Sequence, residues 1–118
     1  MMNKSVAVRT LADYQVLAHK TSKNTDIKGG KVLYAVLGLG DEAGEVLGKF
    51  KKLYRDCDGV YDEKFKETII KELGDVLWYI AEIATQLDIC LEDIANQNII
   101  KLYDRMHRNV IGGSGDDR

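Results

Sequence analysis

The chain contains 118 residues, which is enough for one domain and too few for two ordinary ones. Apolar residues make up 45% of it, so a packed core is expected and wholesale disorder is not. The formal net charge of -2 gives no sign of nucleic-acid binding, and no apolar run is long enough to span a membrane. Cys57 and Cys90 lack the spacing of metal ligands, and without a secretory signal they indicate reduced thiols in the cytoplasm.

Hydrophobic periodicity predicts four helices and no strand. The chain contains no proline, so the strongest helix breaker is absent. Asp62 is a residue type that favours the N-terminal cap of the third helix. The four predicted helices cover about Val6–Lys20, Lys31–Arg55, Glu63–Leu87 and Leu91–Asn109. Because the connections between most of them are short, we expect an all-α antiparallel bundle of about four helices.

The bundle is expected to form one domain over residues 1–111. Residues 112–118 are expected to be a disordered tail, because they are rich in glycine and charge. Trp78 lies roughly opposite the apolar stripe of the third helix, so we expect it to be exposed in a lone protomer and to fill an interface between subunits rather than to stack on a base. We therefore predict that oligomerisation completes the bundle, as a homodimer or a homotetramer.

Two short acidic pairs, Glu42-Ala-Gly-Glu45 and Glu72-Leu-Gly-Asp75, dominate the middle of the chain. Acids three residues apart on a helix lie on the same face. If the second and third helices pack together, the four carboxylates converge and raise one another's pKa. A hard divalent cation removes that conflict, and Mg²⁺ prefers oxygen ligands, with Mn²⁺ as a possible replacement. Each pair taken alone is also compatible with an ordinary solvated helix face.

Each acidic pair carries a glycine just before its second acid, and these glycines are Gly44 and Gly74. A glycine within a helix costs about 1 kcal/mol relative to alanine. We therefore expect both glycines to permit a close approach of the second and third helices.

A di-iron site is disfavoured by the sequence. Such sites in bundles use Glu-x-x-His on two helices, whereas the residues three before His19 and His107 are Val16 and Asp104. The segment 56–59 resembles the start of a calcium loop but lacks an acid at the twelfth position. We expect each histidine to lie at the surface or to cap a helix.

The fourth helix carries a polar stripe formed by Asn98, Lys101 and Arg105. The spacing of these residues places them on one side of the helix. The stripe is compatible with a solvated face, and also with a grip on phosphate oxygens, which Arg binds through two parallel hydrogen bonds.

Taken in their order along the chain, these motifs resemble the MazG family of all-α nucleoside triphosphate pyrophosphohydrolases. Residues 37–46 are similar to the family's signature on the second helix, and residues 72–79 to its signature on the third. The stripe from Asn98 to Arg105 resembles the family's C-terminal phosphate-binding segment. The likeness extends over about Leu11 to Arg108.

The resemblance implies hydrolysis of a nucleoside triphosphate between its α- and β-phosphates, giving a nucleoside monophosphate and pyrophosphate. It also implies Mg²⁺ bound by four acids and an assembly of two or four protomers. The implied metal ligands are Glu42, Glu45, Glu72 and Asp75.

Roles for further residues follow from the same resemblance, as a hypothesis. Glu42 or Glu45 orients or deprotonates the attacking water. Tyr79 and Asn98 donate hydrogen bonds to a phosphate or to a metal-bound water. The residues expected to hold phosphate oxygens are Lys52, Lys101 and Arg105. Glu82 belongs to no family pattern, so its replacement is expected to matter little.

We expect the substrates to be deoxynucleoside triphosphates. Two alternatives stay open from the sequence. One is a helical interaction module without catalysis. The other is a narrower enzyme of the same superfamily, such as a phosphoribosyl-ATP or deoxyuridine triphosphate pyrophosphohydrolase.

Overall fold

The structure is a computed structural model that describes residues 7–23 and 27–118. It confirms the all-α fold, and no strand occurs within those ranges. The four helices are α1 (Leu11–Lys20), α2 (Gly30–Asp56), α3 (Glu63–Gln86) and α4 (Leu91–His107). The first helix was expected to begin at Val6, which lies outside the described residues; within them it begins at Leu11.

Side-chain caps fix where two of the helices begin. Thr10 precedes α1, and its hydroxyl accepts a hydrogen bond of 3.0 Å from the backbone N–H of Asp13. Asp62 precedes α3, and its carboxylate accepts a hydrogen bond of 2.8 Å from the backbone N–H of Phe65. The sequence prediction of an Asp62 cap is therefore confirmed.

Left-handed residues end α3 and α4, although neither residue is glycine. Asp88 has φ 55° and Asn109 has φ 57°. After α3, the N–H of Ile89 bonds the carbonyl of Ala84 at 2.8 Å, and after α4 the N–H of Val110 bonds the carbonyl of Arg105 at 2.8 Å. These six-to-one hydrogen bonds satisfy carbonyls that a helix end leaves free.

The α2 and α3 helices form an antiparallel hairpin that is the centre of the molecule. Near its open end the rings of Tyr34 and Tyr79 lie 6.5 Å apart, and near its turn Phe50 and Phe65 meet edge to face at 5.1 Å. The α1 helix packs on α3 and α4, whereas α4 makes no contact with α2 within the described residues. The middle of the hairpin is therefore open on the side away from α1 and α4.

Close approach within the hairpin depends on Gly38. A Cβ atom at Gly38 would overlap the ring of Tyr79. At Gly44 and Gly74 an added Cβ would meet no atom within 4 Å. The expectation that Gly44 and Gly74 permit the approach of the two helices is therefore wrong, because their Cα atoms face open space.

The core of the protomer is small. Its buried apolar residues are Ala18, Ala35, Leu53, Ala81, Ala84 and Leu91. Large apolar side chains such as Leu47 on α2, Ile70 on α3 and Ile100 on α4 are more than half exposed. No helix within the described residues is long and apolar enough to cross a membrane.

Trp78 packs against the end of α1 within the protomer. It is half-buried, and its indole N–H donates to the hydroxyl of Thr21 at 2.8 Å and to the carbonyl of Ala18 at 3.2 Å. The expectation that Trp78 is exposed in a lone protomer is wrong, because the C-terminal end of α1 covers it.

Candidate functional site

Three of the four predicted acids meet at the middle of the α2–α3 hairpin. Glu42 on α2 and Glu72 and Asp75 on α3 each offer a carboxylate oxygen, and these oxygens lie within 4.8 Å of one another. The i, i+3 spacing places both α3 acids on one face, and the antiparallel pairing brings α2 against that face. We call these three residues the acid group.

The acid group carries an electrostatic cost that a cation would relieve. The pKa of Glu42 is raised, first by burial and then by the charges of Asp75, Asp41 and Glu72. Opposite ligands of Mg²⁺ lie roughly 4.2 Å apart, so oxygens spread over 4.8 Å need only a small adjustment to share one ion. Oxygen ligands and concentrated negative charge therefore fit a hard divalent cation.

Glu45 lies outside the acid group. Its side chain is exposed, although its charge also contributes to the raised pKa of Glu42. Lys49, one turn further along α2, lies 3.7 Å from a carboxylate oxygen of Glu72. A lysine ammonium thus partly compensates the acid group in the described structure.

An aromatic cleft of about 190 Å³ lies beyond the acid group, toward the open end of the hairpin. Tyr34, Trp78 and Tyr79 are its aromatic residues. Burial chiefly raises the pKa of the Tyr79 phenol, and the charges of Glu42 and Asp41 raise it further. Tyr79 therefore joins the cleft to the acid group. The remaining lining residues are Thr21, Ser22, Lys23, Lys31 and Glu82.

Glu82 is a buried carboxylate in the wall of the aromatic cleft, 5% exposed. His19 Nδ1 lies 3.2 Å from both of its oxygens, and the amide of Gln86 donates to Oε1 at 3.1 Å. The sequence-based expectation that Glu82 matters little overlooked this burial. His19 lies at the end of α1 with its side chain half exposed, as expected for a surface histidine.

A second cleft, of about 240 Å³, lies between α2 and the beginning of α3. Its charged lining residues are Lys49, Lys52 and Lys64 together with Asp56 and Asp62, and apolar Leu53 and Phe65 also line it. Lys49 also contacts the acid group through Glu72. We call it the lysine cleft. Lys52, expected to bind phosphate, thus lies on the opposite side of the acid group from the aromatic residues.

The predicted cations of α4 lie apart from this site. Arg105 is buried and Lys101 half-buried, and both bond the Asp116 carboxylate at 3.2 Å. Asn98 is exposed. Because α4 does not contact α2 within the described residues, one protomer does not bring these three residues to the acid group. The segment 112–118, expected to be disordered, supplies the contact with Arg105.

Sequence reasoning missed Tyr34 and Tyr14 at this site. Tyr34, Gly38 and Glu42 are spaced four residues apart on α2, so helical periodicity contained the signal for Tyr34. Tyr14 lies on α1, and its pKa is raised by burial and by the charge of Asp75. No local pattern indicates Tyr14, because its position depends on how α1 packs against α3.

A comparison with known families matches residues 31–110 to the MazG nucleotide pyrophosphohydrolase domain. The match includes the acid group, the α2 and α3 residues of both clefts and all of α4. The chain belongs to the MazG family. Membership indicates that the protein is a nucleotide pyrophosphohydrolase, and therefore a hydrolase. Enzymes of this family generally depend on a divalent metal.

The chain is also similar to the gene 37 protein of Mycobacterium phage L5, with 47% identity over 85 residues. That alignment covers 72% of this chain and 75% of the phage protein. No solved structure gives a significant match.

Proposed function

We propose that this MazG protein hydrolyses nucleoside triphosphates, with a preference for deoxynucleotides, in a reaction that depends on Mg²⁺. Cleavage between the α- and β-phosphates gives a nucleoside monophosphate and pyrophosphate. The observation that supports this most is the order of features along the hairpin. The acid group lies between an aromatic cleft and a lysine cleft.

This order matches the chemistry of a nucleoside triphosphate from end to end. Aromatic side chains stack on bases, and lysines attract phosphates. We assign the nucleoside to the aromatic cleft, the α-phosphate to the acid group and the leaving pyrophosphate to the lysine cleft. Lys49 would then leave Glu72 for a phosphate oxygen, and Lys52 would bind beside it.

We assign the metal to Glu42, Glu72 and Asp75, with Glu45 as a fourth ligand or as the residue that holds the attacking water. When bound, Mg²⁺ neutralises the charge of the triphosphate, and Mn²⁺ would serve in the same way. Water adds to phosphorus, the bridging P–O bond breaks, and pyrophosphate departs. The water proton passes to a carboxylate of Glu42 or Glu45.

Tyr79 lies between the base and the metal in this arrangement, and we assign it a hydrogen bond to the sugar or to a phosphate oxygen. Asn98 and Lys101 keep their proposed phosphate role through a second protomer, and Arg105 would join them once its guanidinium leaves Asp116. Since α4 does not contact α2 within the described residues of one protomer, a partner's α4 would deliver them.

We also propose self-association, as a homodimer or a homotetramer. It is supported by the many large apolar side chains that the four helices leave exposed, because association would remove them from water. The exposed free thiols of Cys57 and Cys90 support a place in the reducing cytoplasm.

The test is pyrophosphate release from a panel of ribo- and deoxynucleoside triphosphates, with Mg²⁺ or with EDTA. Glu72→Gln should lower kcat/KM by roughly 100-fold or more, since it removes a metal ligand. Glu67→Gln is the matched control, because Glu67 is an exposed acid on α3 outside the acid group. Full activity of Glu72→Gln, or activity in EDTA, would contradict the proposal.

A further inference from the structure

A buried carboxylate lies in the wall of the aromatic cleft, whose other lining residues include the two lysines Lys23 and Lys31. Glu82 is 5% exposed, and it shares the wall of the aromatic cleft with Tyr34, Trp78 and Tyr79. Burying a charged group is costly unless other groups satisfy it. His19 and Gln86 supply two donors, which explains how the protein tolerates the charge.

The two donors do not occupy all the hydrogen-bond acceptor positions of the Glu82 carboxylate. An ionised carboxylate accepts at about four lone-pair positions and donates at none. His19 shares one nitrogen between both oxygens, and Gln86 bonds Oε1. Glu82 therefore retains acceptor capacity at the cleft, and a ligand there is favoured if it brings an N–H donor.

The position of Glu82 suits the base of a bound nucleotide. Asp75 and Glu82 are seven residues apart on α3, and helical rise places them roughly 10 Å apart along the axis. Tyr79 lies between them on the same polar ridge. With the phosphates at Asp75, a residue two turns away lies at the height of the base rather than of the sugar.

From these observations we infer that Glu82 determines base specificity, by accepting a hydrogen bond from an exocyclic amino group. The inference rests on the proposed function and names its substrate class, nucleotides whose base carries such a group. Cytosine and uracil separate this effect cleanly, because cytosine has a 4-amino group where uracil has a carbonyl. A carbonyl facing the Glu82 carboxylate would leave two acceptors opposed and unpaired.

The first experiment compares kcat/KM for dCTP and dUTP. One hydrogen bond to a charged group corresponds to a preference of roughly 10- to 150-fold, and the wild type should favour dCTP within that range. Glu82→Gln should bring the ratio to within about twofold, because an amide can donate to the uracil carbonyl. The dCTP analogue with a 2-pyrimidinone base lacks the 4-amino group, so the wild type should process it about as slowly as dUTP. The comparison with the analogue uses only the wild-type protein, so its result does not depend on whether a variant folds.

A control separates specificity from the anchoring of α1. His19→Gln weakens the contact between α1 and α3 but leaves the carboxylate in place, so the protein should melt earlier and keep its preference for dCTP. Equal rates on dCTP and dUTP, or a preference unchanged in Glu82→Gln, would overturn the inference while leaving the hydrolase intact. An absence of pyrophosphate release from every nucleotide would instead overturn the proposed function.

Discussion

Glu42 shows at the residue scale how a site can oppose the stability of the fold that carries it. Its carboxylate lies beside Asp75, Asp41 and Glu72, and burial together with these charges raises its pKa. A raised pKa means that the ionised form is disfavoured in the folded protein. A divalent cation bound by this carboxylate would favour its ionised form instead.

Removing the Glu42 charge should therefore have opposite effects on stability and on metal binding. In EDTA, Glu42→Gln should raise Tm, because it relieves repulsion within the acid group. The increase in Tm that Mg²⁺ gives the wild type should largely disappear in the variant. Thermal melting with and without Mg²⁺ measures both effects, with Glu67→Gln as the control. A lower Tm for Glu42→Gln in EDTA would argue against a strained acid group.

The acids were predictable from the sequence because i, i+3 spacing determines which residues share a helix face. That argument placed Glu42, Glu72 and Asp75 together before the structure did. It did not distinguish Glu45, which has the same spacing but lies outside the group. The rotation of α2 about its axis decides this, and rotation depends on tertiary packing.

At the scale of elements, the close approach of α2 and α3 at the open end of the hairpin depends on one glycine that packs against an aromatic ring. Gly38 accepts the ring of Tyr79, whereas Gly48 on the same helix faces open space. The two glycines are therefore a matched pair for testing helix approach.

Gly38→Ala should displace Tyr79, lower stability and reduce activity, because the new Cβ overlaps the ring. Gly48→Ala should instead increase stability by up to about 1 kcal/mol, since alanine is the better helix former and meets no neighbour. Urea unfolding measures both changes. Equal stabilisation by the two substitutions would show that the Gly38 contact is unimportant.

The start of α4 is organised by a residue of α1. Cys90 precedes α4 and makes no side-chain cap, but the Gln15 side chain accepts a hydrogen bond of 2.8 Å from the backbone N–H of Leu91. The Gln15 amide also donates to the carbonyl of Ile89 at 2.8 Å. One glutamine thus satisfies both a donor and an acceptor at the α3–α4 turn.

Gln15→Leu should lower the free energy of unfolding by about 1–3 kcal/mol, because it leaves the N–H of buried Leu91 without its partner. Hydrogen exchange at the beginning of α4 should increase at the same time. Val16→Leu is a control on the neighbouring exposed position. Unchanged exchange at Leu91 in Gln15→Leu would contradict this role.

No sequence pattern indicated the partners of Gln15. Helix existence, type and approximate ends were predictable from periodicity and capping residues, as Asp62 shows. The packing of α1 and α4 was not, because it depends on contacts between residues more than seventy positions apart.

At the scale of the whole molecule, few of the large side chains in residues 7–23 and 27–118 are buried. Leu47 on α2 is 73% exposed and Ile70 on α3 is 67% exposed. The proposed assembly would cover such residues. Each Å² of apolar surface that it removes from water contributes roughly 25 cal/mol to the free energy of association.

Light scattering should therefore find a dimer or a tetramer at micromolar concentration. Leu47→Glu should shift the protein toward the monomer, because burying an unpaired carboxylate opposes association. Val60→Glu, in the turn between α2 and α3, is the control and should leave the assembly unchanged. A stable wild-type monomer at that concentration would refute the proposed assembly.

The central claim is that the acid group and its two clefts cleave a nucleoside triphosphate between the α- and β-phosphates. Phosphorus NMR of a deoxynucleoside triphosphate incubated with the wild type and Mg²⁺ tests it most directly. We predict signals of the monophosphate and of pyrophosphate, appearing in equal amounts and absent with EDTA. A diphosphate with orthophosphate as the products, or no turnover of any nucleotide, would contradict the claim.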